Sequence, residues 1–240
     1  MVPDSSQFPA TRWSLVVTAG GQNGQAAEQA LAELCRTYWY PIFAYVRRYG
    51  NSPEDAQDLT QDFFARFLEK RHVSYAVQEK GRFRSFLLVS IKRFLADQAE
   101  RRAAEKRGGR EALFAMDLEV AEQRYGAVFA DHTTPETLFE RMWATTLMAR
   151  VAENVRTEFE REGRAEHFEL LKQFLPGYEA TLDYSTIAER AGTTEGAIKV
   201  AVHRLRRRYR EMFYAEIAHV VSDPSQVDDE LRHVLAAMRA

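Results

Sequence analysis

Between Lys199 and Arg210 the chain places six cationic side chains and no acid, in the run KVAVHRLRRRYR. Guanidinium and ammonium groups at that density neutralise the oxygens of a polyanion and release its counterions. A second set has the opposite sign. Asp55, Asp58 and Asp62 recur at i, i+3 and i+7, so on a helix they share one face. Such a face can meet a basic partner, stay solvated or hold a metal. Metal centres of the di-iron type take Glu and His from several helices at i, i+3 spacing, and no E-x-x-H stands in this segment. Contact with a basic partner is therefore the favoured reading. Groups for covalent or acid–base chemistry are not assembled. The histidines, His72, His132, His167, His203, His219 and His233, are scattered, and none lies near Cys35 or a serine in a nucleophile motif. A Gly-rich phosphate loop and an H-E-x-x-H are both missing. The expectation is a chain with no catalysis of its own, no cofactor and no metal.

The elements that position these groups read as helices. Of 240 residues, 45% are hydrophobic, enough for globular cores, and 33 basic residues nearly balance 35 acidic ones. The charge is distributed in blocks. Lys80–Arg110 carries ten Lys/Arg and three Asp/Glu, net +7; Glu111–Glu140 carries seven acids and one Arg, net −6. Two polyanion-facing surfaces separated by an acidic segment fit this pattern. Cys35 is the single cysteine and sits among apolar residues, so it reads as core. One thiol excludes an intrachain disulfide. With no signal peptide and no apolar run near the ~18 residues of a span, the expectation is a cytoplasmic protein without membrane insertion.

Helical periodicity runs through most of the chain. Ala26–Cys35 reads as one helix and the stretch after Pro41 as another, closed by Gly50. Ser52, Pro53, Glu54 and Asp55 form a helix start, followed by the apolar stripe Ala56, Leu59, Phe63 and Phe67. Phe83 to Lys106 reads as one long helix, with Phe83, Phe86, Leu87, Ile91, Phe94 and Leu95 buried and a cationic end stopped at Gly108-Gly109. From Arg110 to Pro135 the pattern is weak and acidic, which predicts a linker with room for one helical piece. Its acids Asp117, Glu119, Glu122 and Asp131 either mimic a polyanion or solvate a connector. A helix resumes at Leu138, and AEHFELLKQFL follows, ending at Pro176-Gly177. In the tail, Val227, Leu231, Val234 or Leu235, and Met238 form a stripe expected to pack on its own chain.

The stretch YSTIAERAGTTEGAIKVAVHRLRRRYREMF fits a helix-turn-helix. That unit needs a small residue where the helices touch and a residue free to take positive φ in the turn. Ala188 and Gly192 stand at those places. Ile187 and Ala191 face inward before the turn, Ile198 and Ala201 after it, and Thr193 or Thr194 can cap the second helix. A second helix in the major groove presents its N-terminal half to base edges, so Lys199, His203 and Arg204 are candidates for DNA, with Arg206, Arg207, Arg208 and Arg210 placed for phosphates.

Acidic helix, cationic helix and helix-turn-helix in this order resemble the extracytoplasmic-function sigma factors, the small sigma-70-like subunits of bacterial RNA polymerase. SPEDAQDLTQDFFARFLEK resembles their region 2.1–2.2, FRSFLLVSIKRFLADQAERRAAEKRGG region 2.3–2.4, and FELLKQFLPGYEATLDYSTIAERAGTTEGAIKVAVHRLRRRYREMF region 4. The resemblance implies an all-α protein of two small helical domains: residues 1–110 for core polymerase and the −10 element, an acidic linker 111–135, a helix-turn-helix domain 136–220 for the −35 element, and a C-terminal helical tail 221–240. It implies promoter DNA and core polymerase as partners, through the β′ clamp coiled coil and the β flap. Polymerase-facing positions map onto Asp55, Asp58, Leu59, Gln61, Asp62 and Phe63. The −10 positions map onto Phe86, Lys92, Arg93, Asp97, Arg101 and Arg102, and the −35 positions onto Thr194, Lys199, Val200, His203, Arg204, Arg207 and Arg208. Phe86 stands where the family usually has Trp, and Arg93 where it often has Asn. Val200 and Ala201 replace polar residues and could meet thymine methyls. Family members are often held by an anti-sigma factor; no residue here identifies one. Two other readings compete: a stand-alone helix-turn-helix regulator, and a sigma-like decoy that binds a partner without initiating.

Overall fold

The computed structural model describes residues 25–69, 83–104, 117–128, 133–221 and 223–238. Among them are nine α-helices and no strand, so the protein is all-α as expected. In chain order these are α1 (Gln25–Arg48), α2 (Pro53–Glu69), α3 (Phe83–Ala104), α4 (Leu118–Val128), α5 (Pro135–Arg161), α6 (Ala165–Leu171), α7 (Tyr184–Arg190), α8 (Glu195–Ala218) and α9 (Val227–Ala237). Short 3-10 turns cover Lys172–Phe174 and Pro224–Gln226. No described helix is long and apolar enough to cross a membrane.

Backbone proximity divides the chain into two compact units, Met1–Ala144 with Ala218–Ala240, and Thr145–Ile217. The division falls elsewhere than the boundaries drawn from sequence. Pro135 opens a 27-residue helix, and its first ten residues pack into the first unit.

The first unit is organised around α1. Pro41–Val46 are all buried, six residues in succession, and a helix buried on every side must be central. The sequence predicted two helices here, broken at Pro41; the structure has one, with Pro41 inside it. Proline forfeits a backbone hydrogen bond and costs about 3 kcal/mol in a helix interior. Full burial of Tyr38, Trp39, Ile42 and Phe43 around it offsets that cost, since each large apolar side chain contributes about 1.5–3 kcal/mol. Cys35, on the same helix, is buried, and desolvation pushes its thiol up to about 12. It is a core residue and not a nucleophile.

Gly50, at φ +99°, ends α1. Ser52 caps α2 by accepting from the Asp55 amide at 3.1 Å. The stripe Ala56, Leu59, Phe63 and Phe67 then packs inward, joined by Phe64. α3 closes over it, with Phe63 meeting Phe94 edge-on at 5.6 Å and Phe67 meeting Phe83 at 6.5 Å. Within the stretch read as an acidic linker, α4 is docked on α1. Arg47 holds Glu122 with two bonds, at 2.6 and 3.1 Å, Arg124 lies 4.1 Å over the Tyr40 ring, and Ala121 is fully buried. The tail packs on its own chain through part of the predicted stripe, with Glu230 added to it. Val227, Glu230 and Val234 are buried, whereas Leu235 and Met238 are exposed.

In the second unit, Val151, Val155 and Phe159 of α5 and Phe168 and Leu171 of α6 are buried, and the Phe159 and Phe168 rings meet at 5.7 Å. Tyr209 of α8 donates its hydroxyl to the Met148 carbonyl at 3.2 Å. The Gln173 side chain accepts from the Thr181 and Leu182 amides, both at 2.8 Å, and so fixes the loop leading to α7.

The turn between α7 and α8 satisfies the end of α7 completely. Gly192, at φ +61°, donates its amide to Glu189 O, and Thr193 donates back to Ala188 O at 2.9 Å. These are the two bonds of a Schellman motif, which requires a left-handed residue at the glycine position. A Cβ built on Gly192 meets nothing within 4 Å, so the cost of a side chain there is backbone strain alone. Gly192→Ala should lower unfolding stability by about 1–2 kcal/mol, read as a reduced denaturant midpoint by circular dichroism with native helicity unchanged.

Candidate nucleic-acid interface

Two surfaces carry the candidate residues, one on each unit. On the first, α2 turns Asp55 and Asp58 to solvent and leaves Gln61 and Asp62 half-exposed. Asp62 lies 4.0 Å from Arg66 one turn on and accepts from Gln98 of α3 at 3.5 Å. Leu59 and Phe63, mapped with them, are 5% and 3% exposed. Their side chains hold α2 in place, and the acids form the outer face. The partner-facing patch is thus narrower than the six mapped positions.

α3 shows the same sorting. Ser85, Val89, Lys92, Arg93, Ala96 and Glu100 line its outer face, and Asp97 is also exposed. Lys92 is 2.7 Å from Glu136 of α5, and that ammonium holds the carboxyl below its ordinary range. Arg93 and Asp97 point to solvent one turn apart. Phe86 is half-buried, its ring 6.1 Å from Phe67 and 6.3 Å from Phe83, so it braces the start of α3. Arg101 and Arg102 lie in the last turn of α3; their side chains are outside the described residues.

Of the four acids assigned to the linker, Glu122 is committed to Arg47 and Asp117 accepts from the Glu119 and Val120 amides, capping α4. Glu119 is exposed. Asp131 is outside the described residues.

On the second unit, Asp183 caps α7 by accepting from the Thr186 amide at 2.8 Å, and hydrogen bonds from the Thr186 side chain and amide hold its carboxyl below the ordinary range. Thr194 caps α8 by accepting from the Ala197 amide at 3.2 Å. Ile187, Ala188, Ile198, Val202 and Leu205 are buried; Ala191 and Ala201 are only half-buried. Opposite this buried face of α8, Gly196, Val200, His203 and Arg207 form an exposed ridge, and Val200 is 51% exposed.

Lys199, His203 and Arg204 were read as near neighbours on one face. The structure separates them, because i and i+5 differ by about 140° round a helix. Lys199 turns toward α7, 2.6 Å from Glu195 and 5.7 Å from the Tyr184 ring, which stacks on Phe174 at 4.7 Å. Arg204 turns the other way. With Arg164, His167 and Arg208 it rims a cavity of about 410 Å³ floored by Phe159 and Leu171. His203 stays on the ridge between them. Arg206 donates to the Phe174 carbonyl at 2.9 Å, Arg207 pairs with Glu211 at 2.9 Å, and Arg208 pairs with Glu158 at 2.7 Å.

One group escaped the sequence reading. Arg84, in the first turn of α3, is 1% exposed, yet it lies 2.7 Å from Glu140 and contacts Glu230 of α9. The signal was present in the spacing: Arg84 precedes Leu87 and Ile91 by three and seven, on the buried stripe.

Residues 34–105, just under a third of the chain, match the family model Sigma-70 region 2. No curated protein and no solved structure matches the chain. The matched segment spans most of α1, all of α2 and α3, and therefore both the acidic and the cationic outer faces. The match makes this segment similar to region 2 of the sigma-70 factors.

The cap on α8 gives a direct check on the second surface. Thr194→Ala should cost about 1 kcal/mol of local helix stability. The expected readout is faster hydrogen exchange at the Ala197 amide, with exchange at Tyr209 unchanged.

Proposed function

We propose that the chain is a sigma factor of the extracytoplasmic-function type, which brings core RNA polymerase to promoters through the −35 and −10 elements and opens the duplex at −10. The observation that carries this reading is the pairing, in one chain, of a region 2 segment with a capped helix-turn-helix whose exposed ridge is flanked by arginines. In this reading Asp55, Asp58 and Asp62 meet basic residues of the clamp coiled coil. Lys92, Arg93, Arg101 and Arg102 hold the backbone of opened DNA. Thr194 sets the start of the recognition helix, and Val200, His203 and Arg204 face bases. Lys199 steadies its flank, and Arg207 and Arg208 meet phosphates or the β flap. The polymerase supplies the chemistry, and the protein acts in the cytoplasm.

Core pull-down combined with run-off transcription tests this. A sigma factor binds core and starts transcripts at a defined position; a stand-alone regulator does neither, and a decoy binds without initiating. Asp58→Arg with Asp62→Arg should abolish core binding while helicity is kept, since both acids lie outside the apolar stripe. A core complex that survives the double reversal removes that assignment.

The arginines of α8 should separate by role. A guanidinium pairing bidentately with guanine contributes ~1–3 kcal/mol of discrimination, so Arg204→Ala should relax preference at one −35 position. Arg207→Ala should weaken all sequences alike and reduce the slope of log K against log salt by about 1. Binding to single-base −35 variants at two salt concentrations reads both. Uniform loss from Arg204→Ala makes it a phosphate clamp.

A further inference from the structure

The second unit holds a cavity that the reading of bases and phosphates leaves unused. It measures about 410 Å³ and lies between the end of α5, α6 and the middle of α8. Phe159, Leu171 and Leu205 make its floor, and each is buried. Arg164, His167, Arg204 and Arg208 stand round it against the single acid Glu158, so the lining is net positive.

These cations are not equivalent. Arg208 spends its charge on Glu158, at 2.7 and 3.1 Å. Arg164 pairs with Glu162, and its guanidinium carbon lies 4.5 Å over the Phe159 ring. Arg204 is exposed, and no side chain or carbonyl among the described residues holds its guanidinium. Along α8 this sets it apart, because Lys199, Arg206, Arg207, Arg208 and Arg210 each have a partner. His167, half-buried on α6, is likewise unpaired among the described residues.

We propose that this cavity binds a small organic anion, one carboxylate on an apolar body of one or two rings, with Arg204 as its anchor, and that an occupied cavity keeps Arg204 from DNA. Three features select this class. A guanidinium pairs with a carboxylate through two parallel hydrogen bonds, and Arg204 is the guanidinium of the lining whose donors are uncommitted. The buried floor gains from being covered by rings and gains nothing from a bare inorganic ion. One uncommitted guanidinium balances one negative charge, so a dianion entering the cavity keeps a charge unpaired. The volume suits a small ligand, since such sites span ~300–1,000 Å³ and are mostly apolar with a few polar groups. Binding needs no promoter, but its consequence does. On the sigma-factor reading proposed above, Arg204 faces bases of the −35 element. Ligand and DNA then compete for one side chain, and each weakens the other by the same factor.

The test titrates the full chain by calorimetry with naphthoate, beside its uncharged amide, naphthamide, and inorganic phosphate. One saturable site for naphthoate is expected, with no displacement by phosphate at equal concentration. Losing a hydrogen bond to a charged group costs about 10-fold in affinity, so naphthamide should bind that much more weakly, and Arg204→Ala should weaken naphthoate by as much. Ala201→Leu, which adds bulk to the lining from a half-buried position, should weaken both ligands. Arg190→Ala removes an exposed arginine outside the cavity and should weaken neither. Equal affinity for naphthoate and naphthamide, or naphthoate binding indifferent to Arg204→Ala, makes the cavity a plain apolar groove and overturns the anion site; so does no binding at all. On a labelled −35 duplex, saturating naphthoate should weaken the wild type as far as Arg204→Ala does and leave that variant unaffected. Naphthoate binding without this competition overturns the coupling. A chain that binds naphthoate but no −35 duplex defeats the sigma-factor reading and the coupling with it, while the calorimetry decides the site.

Discussion

A stretch of α1 with no solvent-facing side dictates the first unit. Pro41–Val46 are buried in unbroken succession, so each helix around α1 must offer it an apolar stripe and send its polar residues outward. α2 does so with Ala56, Leu59, Phe63 and Phe67, which leaves Asp55 and Asp58 nowhere to go but the surface. α3 does so with Phe83, Leu87, Ile91 and Phe94, which exposes Lys92 and Arg93. The acidic and cationic faces are the outward consequence of a single packing requirement. Both faces stand on helices and not on loops, so their positions follow from helix geometry.

The second unit solves a different problem, exposing arginines without leaving them idle. Arg206, Arg207 and Arg208 are each held in the absence of DNA, by the Phe174 carbonyl, Glu211 and Glu158. Exposed pairs of this kind contribute little, about 0–1 kcal/mol. On the proposed reading, exchanging the Glu211 or Glu158 carboxylate for a phosphate would therefore cost little. The ridge of Gly196, Val200 and His203 is different in kind. It offers small and apolar surface, suited to close approach and to contact with methyl groups, while the charged residues lie along and beside it.

Much of this was legible in the residues alone. The cap at Ser52, the stripe of α2, the buried stripe of α3 and the turn at Gly192 follow from local rules, because each depends on neighbours within a few positions. Failures came where long-range packing overrode a local rule. Pro41 reads as a break, and only burial on every side keeps the helix whole. The acidic stretch reads as a connector with room for one helical piece; α4 is such a piece, and only Arg47, 75 residues away from Glu122 in sequence, shows that it is docked. Lys199, His203 and Arg204 look adjacent in a list, but helical rotation spreads them over three directions. The tail stripe was read as Val227, Leu231, Val234 or Leu235, and Met238; the structure buries both valines, leaves Leu235 and Met238 exposed, and adds Glu230, which hydropathy does not select.

That glutamate carries a more general lesson. Arg84 sits at the i position of an 84, 87, 91, 94 stripe, and Glu230 at the centre of a 227, 230, 234 stripe. Each reads singly as an error in an apolar pattern. Two such errors of opposite sign in one chain constitute a pairing constraint, since an isolated buried charge is prohibitively costly and a buried pair is tolerable. The constraint links α9 to α3 across 146 positions, which no local propensity could do. It also selects against the alternatives. A purely apolar tail could settle on any hydrophobic stripe of the unit, whereas Glu230 fits only where a guanidinium is waiting. Arg84 thus gives the tail one address, and Glu140 shares its charge.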